Sequence, residues 1–366
     1  MKRYRLTEIE SLHPWGRTAL TDEGLNIFWS ASGIEINIRA TELHLELDAD
    51  FDLYEPWLEI MIDGKLSQRR MLDRGKQRIC IFRAMDASRV RNVRILKATQ
   101  APGNDPVSFL QMQALLTDGD FQPVEPYSMN IEIIGDSITS CEGLGGAMTE
   151  GTWNASQFSI VDGYPYQLGQ MLHADVHVIS QSGYGVYCNW RGDTRESLPQ
   201  FYLQHCGLLG GEHNRSLRAH DAWNFASWQP DWIVVNLGTN DSGSFDQAGK
   251  VFAEDRWCCP MGVNEDGSMN EGDRQKIIRA VTDFLCVLRQ HNPAAQLVWC
   301  YGMLPGRLEQ TLREAVQRYA SQSNDTRVTF VLLPETAEGE FGARHHPGAP
   351  AHRKAAETLY RVITKQ

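Results

Sequence analysis

The spacing of apolar residues changes once along this chain, near residue 120, and that change constrains its fold most. Before it, Ile34, Ile36 and Ile38 alternate with Glu35 and Asn37, and Leu43, Leu45 and Leu47 alternate with His44 and Glu46. A period of two places one set of side chains on one face of a strand and the other set on the opposite face. Leu58, Ile60 and Ile62 follow, then Asp63-Gly64, a hairpin-turn pair. Ile79 and Ile81, Val93 and Ile95, and Leu110, Met112 and Ala114 continue the alternation. No helical period interrupts residues 20–116, so they are expected to form an antiparallel, jelly-roll-like β-sandwich. Such a module can bind carbohydrate, cover a site or simply pack, and the spacing does not choose among these.

Residues 118–126, Asp-Gly-Asp-Phe-Gln-Pro-Val-Glu-Pro, read as a turn-rich linker. Beyond it, short apolar strands are expected at 129–134, 176–179, 232–237, 297–301 and 328–332. Amphipathic helices are expected at 164–172, 274–290, 308–321 and 350–363; the second places Ile277, Ile278, Val281, Phe284, Leu285 and Leu288 on one face. Apolar strands alternating with such helices define an α/β fold, here a five-stranded parallel sheet covered on both sides. The 366 residues suit a division into a sandwich at 1–120 and an α/β/α domain at 121–366.

A formal net charge of −11 argues against nucleic acid and anionic membrane as partners, both of which select basic surfaces. The basic residues near Met1 precede no apolar run, and no stretch approaches the ~20 apolar residues of a membrane span. A cytoplasmic location is therefore expected, unless a leader lies outside the sequence. The eight cysteines form no Cys-x-x-Cys pair, which fits a reducing compartment, with Cys286 and Cys300 expected in the core. No metal-ligand spacing stands out, and no metal or cofactor is expected.

Four stretches carry chemistry. Ile131 to Ile134 lead directly into Gly135-Asp136-Ser137, a serine at the carboxyl end of a buried strand, where ligands bind in open α/β sheets. Taken alone, Ser137 is either a nucleophile or a helix cap. The second strand ends in Ser180-Gln181-Ser182-Gly183-Tyr184-Gly185, and the third in Asn236-Leu237-Gly238-Thr239-Asn240-Asp241. Gly342-Ala343-Arg344-His345-His346-Pro347 precedes the last helix. A serine, a histidine and convergent N–H donors are the parts of an acyl-transfer site. The long pieces at 142–162, 184–228 and 241–273 follow strand ends and carry Tyr184, Tyr187 and Trp190, among other aromatics. Loops this long are usually functional. Their aromatics can stack on sugars or pack as small cores over the sheet.

Taken in order, Gly135-Asp136-Ser137, Ser182–Gly185, Gly238-Thr239-Asn240-Asp241 and His346-Pro347 resemble the blocks of the SGNH (GDSL) hydrolase superfamily from about residue 128 onward. With a sandwich in front, the whole chain is similar to carbohydrate esterase family 2, whose members remove acetyl groups from plant polysaccharides or their oligosaccharides. The resemblance implies Ser137 as nucleophile and His346 as general base, with His345 as its rival. It implies an oxyanion hole from the Ser137 N–H, a glycine N–H (Gly185 favoured over Gly183) and the Asn240 side chain. Asp136, Tyr184, Tyr187, Trp190 and His345 are candidates for substrate contact. The chain departs from the pattern at the acid: Ala343 stands where the superfamily places aspartate, and Arg344-His345 replace Asp-Trp. A Ser–His dyad is expected, its imidazole oriented by a main-chain carbonyl, with Glu340 and Glu335 as the carboxylate alternatives. The expected activity is acetyl removal from xylo-, manno- or related oligosaccharides. The alternatives are a short-chain esterase or thioesterase acting on other substrates, and a non-catalytic carbohydrate-binding relative. A sandwich edge could pair subunits into a homo-oligomer.

Overall fold

In the computed structural model, which describes residues 1–252 and 255–365, the change of period marks a change of architecture. The N-terminal part is two six-stranded antiparallel sheets. Gly33–Arg39 and Leu43–Asp50 lie in different sheets, and their alternate residues Ile34, Ile36, Ile38, Leu43, Leu45 and Leu47 meet in one buried cluster. Asp63 and Gly64 turn the chain between Trp57–Ile62 and Lys65–Met71 with φ of 51° and 74°, the left-handed conformations that a tight hairpin needs.

The structure adds strands that alternation did not mark. Lys2–Arg5 and His13–Trp15 are too short to show a period. Asp120–Gln122, inside the expected linker, pairs with Gly33–Arg39, so the sandwich runs to Gln122.

The C-terminal part is a five-stranded sheet, parallel throughout, ordered Ala174–Ser180, Met129–Gly135, Trp232–Asn236, Gln296–Gly302, Val328–Leu333. The first strand in sequence is second in space, so the connections leave in opposite directions on its two sides. A crevice opens there, beyond the carboxyl ends of Met129–Gly135 and Trp232–Asn236.

Successive residues of each strand face opposite layers. Ile134, Ile233, Val235, Leu297 and Trp299 pack with the helices Glu271–His291 and Glu309–Ser323. Ile131, Ile133, Val234 and Val298 pack with Tyr164–Leu172 and Ala349–Thr364. The buried residues of Glu271–His291 are the six expected ones. Cys286 is a correction: it is exposed, while Cys300 is buried. It directly follows Leu285, and a step of about 100° around the helix carries it off the apolar face.

The two parts share their cores. Trp15, Ala31, Met61 and Leu96 of the sandwich join one layer, and Phe28, Trp29 and Ala101 join the other. The buried Arg17 guanidinium donates to Glu132 Oε1 at 2.9 Å on the strand Met129–Gly135, and Tyr202 Oη donates to Glu132 Oε2 at 2.8 Å. Among the described residues no helix is long and apolar enough to cross a membrane.

Candidate active site

The crevice holds a cavity of about 580 Å³ whose lining includes Ser137, Gly183, Tyr184, Trp190, Asn240 and His346. Four separate stretches of sequence thus meet at one place, beyond the carboxyl ends of three adjacent strands.

Ser137 stands two residues past the strand Met129–Gly135. Asp136, fully buried, holds the turn: its Oδ1 accepts the Ile138 N–H at 3.0 Å, and its main-chain oxygen accepts the Ser140 N–H at 2.9 Å. Ser137 is 9% exposed. Burial, with the Asp241 carboxylate adding to it, pushes the Asp136 carboxyl up to about 7. Asp136, expected to contact substrate, does not border the cavity.

Asn240 lies in the first turn of the helix Thr239–Asp246. Its Nδ2 donates to the Tyr184 carbonyl at 2.9 Å and reaches Asp136 Oδ2 at 3.4 Å. The next residue, Asp241, is buried, and its carboxylate accepts the N–H groups of Val186, Tyr187 and Cys188 at 2.8, 2.8 and 3.0 Å. One aspartate therefore fixes the loop after the second strand against the helix that presents Asn240.

That loop sets the two candidate glycines apart. A side-chain carbon on Gly185 would lie 2.2 Å from Asp241 Oδ2, so glycine is needed there for packing. Gly185 is buried and does not border the cavity; Gly183 does, with φ of +83° and nothing nearer to an added carbon than Trp190 at 3.8 Å. Neither the Ser137 N–H nor the Gly183 N–H donates to another described main-chain or side-chain group. Tyr184 and the half-exposed Trp190 line the cavity, but Tyr187 packs against the core instead.

His346 reaches the cavity from the opposite loop. Gly143 lets that loop close on the serine loop, since a side chain there would meet Ala343 O and His346 Cβ at 2.7 Å. The Ala343 N–H donates to Gly143 O at 3.0 Å, and the Arg344 N–H to Glu150 O at 2.9 Å. Arg344 and His345 take φ of 54° and 57°, conformations costly for non-glycine residues. They aim the two histidines apart: His346 lines the cavity, whereas His345 is exposed and outside it. The expected rival base and substrate contact, His345, thus does not share the cavity with Ser137.

The imidazole Nδ1 of His346 faces Arg344 O at 3.2 Å, a main-chain carbonyl in the place of the absent aspartate. Glu340 is engaged elsewhere, accepting from Lys354 Nζ at 2.5 Å and from the Ala337 N–H at 3.2 Å. Glu335 is exposed and does not border the cavity.

Sequence reasoning passed over Glu142. It is 2% exposed, follows the serine turn and lines the cavity. Its Oε2 accepts from Ser182 Oγ at 2.5 Å, its Oε1 is paired with the Arg344 guanidinium, and Oε1 lies 3.9 Å from His346 Nε2. Burial lowers the affinity of His346 for a proton, and Glu142 opposes that effect. The net result holds the imidazole below its ordinary range, in the neutral form that can accept a proton. Only the closeness of Glu142 to Ser137 in sequence hinted at this carboxylate.

Among the described residues, two groups of three side chains could hold a metal ion: Glu42, His44 and Cys80; and Asp193, Asp255 and Cys258. None of these residues lines the cavity.

A serine at a strand end, a histidine lining the same cavity and a neighbouring Asn-Asp pair are the parts of a hydrolase of the GDSL type. The GDSL-like Lipase/Acylhydrolase family matches residues 133–354, and the chain belongs to that family. Its similarity extends through the sandwich. An acetyl xylan esterase (Est2A) from the rumen bacterium Butyrivibrio proteoclasticus superposes with a TM-score of 0.96 at 38% identity, covering 100% of this chain and 99% of that one. The cellulase/esterase CelE of Acetivibrio thermocellus is 24% identical over 355 residues, 94% of this chain. An acetylxylan esterase / glucomannan deacetylase of Cellvibrio japonicus is 23% identical over 339 residues, 91% of this chain. The chain spans 38% of the length of CelE and 80% of the Cellvibrio protein.

Proposed function

We propose that this protein is a serine carbohydrate O-acetylesterase, removing acetyl groups from xylo-, manno- or related plant-derived oligosaccharides through an acetyl-enzyme. One observation carries the reading: Ser137, His346 and Asn240 line a single cavity, in a chain similar over its whole length to an acetyl xylan esterase.

In this account Ser137 Oγ attacks the acetyl carbonyl while His346 Nε2 takes its proton. The Arg344 carbonyl accepts from Nδ1–H, which fixes the tautomer that leaves Nε2 free. The tetrahedral oxyanion is held by the Ser137 and Gly183 N–H groups and by Asn240 Nδ2, donors set in place before the charge develops. His346 then returns the proton to the departing sugar hydroxyl. Water attacks the acetyl-serine by the same steps in reverse, releasing acetate and the free serine. A dyad without a carboxylate remains workable because preorganised oxyanion donors supply much of the rate enhancement.

The test is acetate release from 4-nitrophenyl acetate and from acetylated xylo- and manno-oligosaccharides by the wild type, Ser137→Ala and His346→Ala. Release by the wild type alone, with sugar esters preferred, supports the reading. Preference for the nitrophenyl ester or for thioesters points to another acyl substrate. Sugar binding without release by the wild type points to a non-catalytic relative.

A further inference from the structure

The main cavity is not enclosed by the α/β domain alone. Tyr54, Gln100, Gly103 and Asn104 of the sandwich form part of its wall, beside Trp153 from the loop after the serine strand. The Tyr54 and Trp153 rings meet edge to face with centroids 4.3 Å apart. A hollow of about 40 Å³ continues from the main cavity beneath this wall and shares Tyr54, Gln100, Asn104, Trp153 and Gln181 with it. Tyr184 and Trp190 line the same cavity from the α/β domain.

The wall is held by a chain of buried polar contacts. Asp105 is fully buried, and its Oδ2 accepts the N–H groups of Asp52 and Leu53 at 2.9 and 2.7 Å, fixing the loop that presents Tyr54. Buried Lys97 donates to Phe28 O at 2.7 Å and to Gln100 O at 3.0 Å. Gln100 Oε1 in turn accepts the Ser182 N–H at 2.8 Å, and Ser182 Oγ donates to Glu142. Glu59 Oε2, from the sandwich, accepts the N–H groups of Ile160 and Val161 at 3.1 and 3.0 Å, pinning the far end of the loop that carries Trp153. Gln181 is 8% exposed, and its Oε1 has no partner among the described residues.

We propose that Tyr54 and Trp153, with Gln100 and Asn104, form a subsite for a pyranose ring of the glycan chain that carries the acetyl group. The proposal rests on the acetylesterase reading above. Aromatic rings supply flat apolar surface for the C–H face of a sugar, and the amide side chains supply donors and acceptors for its hydroxyls. Because the wall is already fixed, little ordering is lost when a sugar binds. The sandwich is then a working part of the cleft rather than an appended module.

The experiment compares wild type, Tyr54→Ala and Trp153→Ala, with Tyr54→Phe as a fold-preserving control. For each, kcat/KM is measured on 4-nitrophenyl acetate and on acetylated xylo-oligosaccharides of increasing length. Calorimetry measures binding of the unacetylated oligosaccharides. The ratio of oligosaccharide to nitrophenyl kcat/KM should fall about tenfold in the alanine variants, with the gain from added sugar units lost and Tyr54→Phe near wild type. A ratio and a length dependence equal to wild type in both alanine variants would overturn the subsite. If the wild type hydrolyses neither substrate, the esterase reading falls and the calorimetry decides the subsite alone: weaker oligosaccharide binding in the alanine variants upholds it, and equal binding or none at all refutes it.

Discussion

His346 Nδ1 faces the main-chain oxygen of Arg344, two residues earlier, at 3.2 Å. The partner of the imidazole belongs to the same short loop, in which Arg344 and His345 take positive φ. No side-chain substitution removes that carbonyl, so loss of a nearby carboxylate should matter little. Glu340→Ala is expected to keep kcat within about twofold of wild type, because its carboxylate is held by Lys354 and the Ala337 N–H and not by His346. Steady-state hydrolysis of 4-nitrophenyl acetate checks this, and a collapse of kcat would make Glu340 the missing acid.

Glu142 should act through charge. Burial lowers the His346 pKa and Glu142 partly restores it, while Arg344, His345 and the buried His352 are the other titratable groups near the ring. The base works when neutral, so activity is lost as pH falls through its pKa. In the wild type this acid limb should lie below about 6.5, the ordinary histidine value. Glu142→Gln removes the opposing charge and leaves the Arg344 guanidinium unpaired, and both changes disfavour imidazolium. The acid limb of kcat/KM should therefore move to still lower pH, even if the maximum falls. A pH–rate profile that keeps its shape would mean that Glu142 only packs.

Asp241 holds three main-chain N–H groups of the Val186–Cys188 segment. Asp241→Ala leaves buried donors without an acceptor, each costing about 1–3 kcal/mol. A loss of about 3 kcal/mol or more in denaturant unfolding is expected, with activity falling further because Asn240 and Gly183 lose their common support. A stable variant with wild-type kcat would show that the loop holds itself.

Arg17 ties the sandwich to the strand Met129–Gly135 through Glu132. Arg17→Met leaves that carboxylate buried with only Tyr202 for a partner, and breaking such a pair costs about 3–5 kcal/mol. Unfolding should also remain a single transition, since both hydrophobic layers contain residues of the two parts. Two separate calorimetric transitions in the variant would show that the parts unfold independently.

The layers of the fold were legible because they follow from periodicity. Ile277, Ile278, Val281, Phe284, Leu285 and Leu288 name their own helix face, and Leu43, Leu45 and Leu47 their own sheet face. That Ser137, Asn240 and His346 would come together was legible because they stand at strand or helix boundaries, and all three line one cavity. What escaped depends on distance in space. Tyr54 and Trp153 are nearly a hundred positions apart, and neither belongs to a motif. Gly183 and Gly185 look alike in sequence; only the approach of Asp241 to Gly185 and the cavity beside Gly183 tell their surroundings apart. Glu142 carries no spacing signal, since its importance comes from Arg344 and Ser182 folding onto it. Asp120–Gln122 is three residues long and sits among turn formers, so pairing with a neighbour, not propensity, makes it a strand.

The account depends most directly on a covalent acetyl-serine. Wild type and Ser137→Ala would be mixed with 4-nitrophenyl acetate, quenched in acid during turnover, digested and weighed by mass spectrometry. The account predicts one acetyl group on the wild-type peptide containing Ser137, absent from that peptide in the variant. Turnover with no acetyl on that peptide, or an equal yield of acetate from Ser137→Ala, would contradict it.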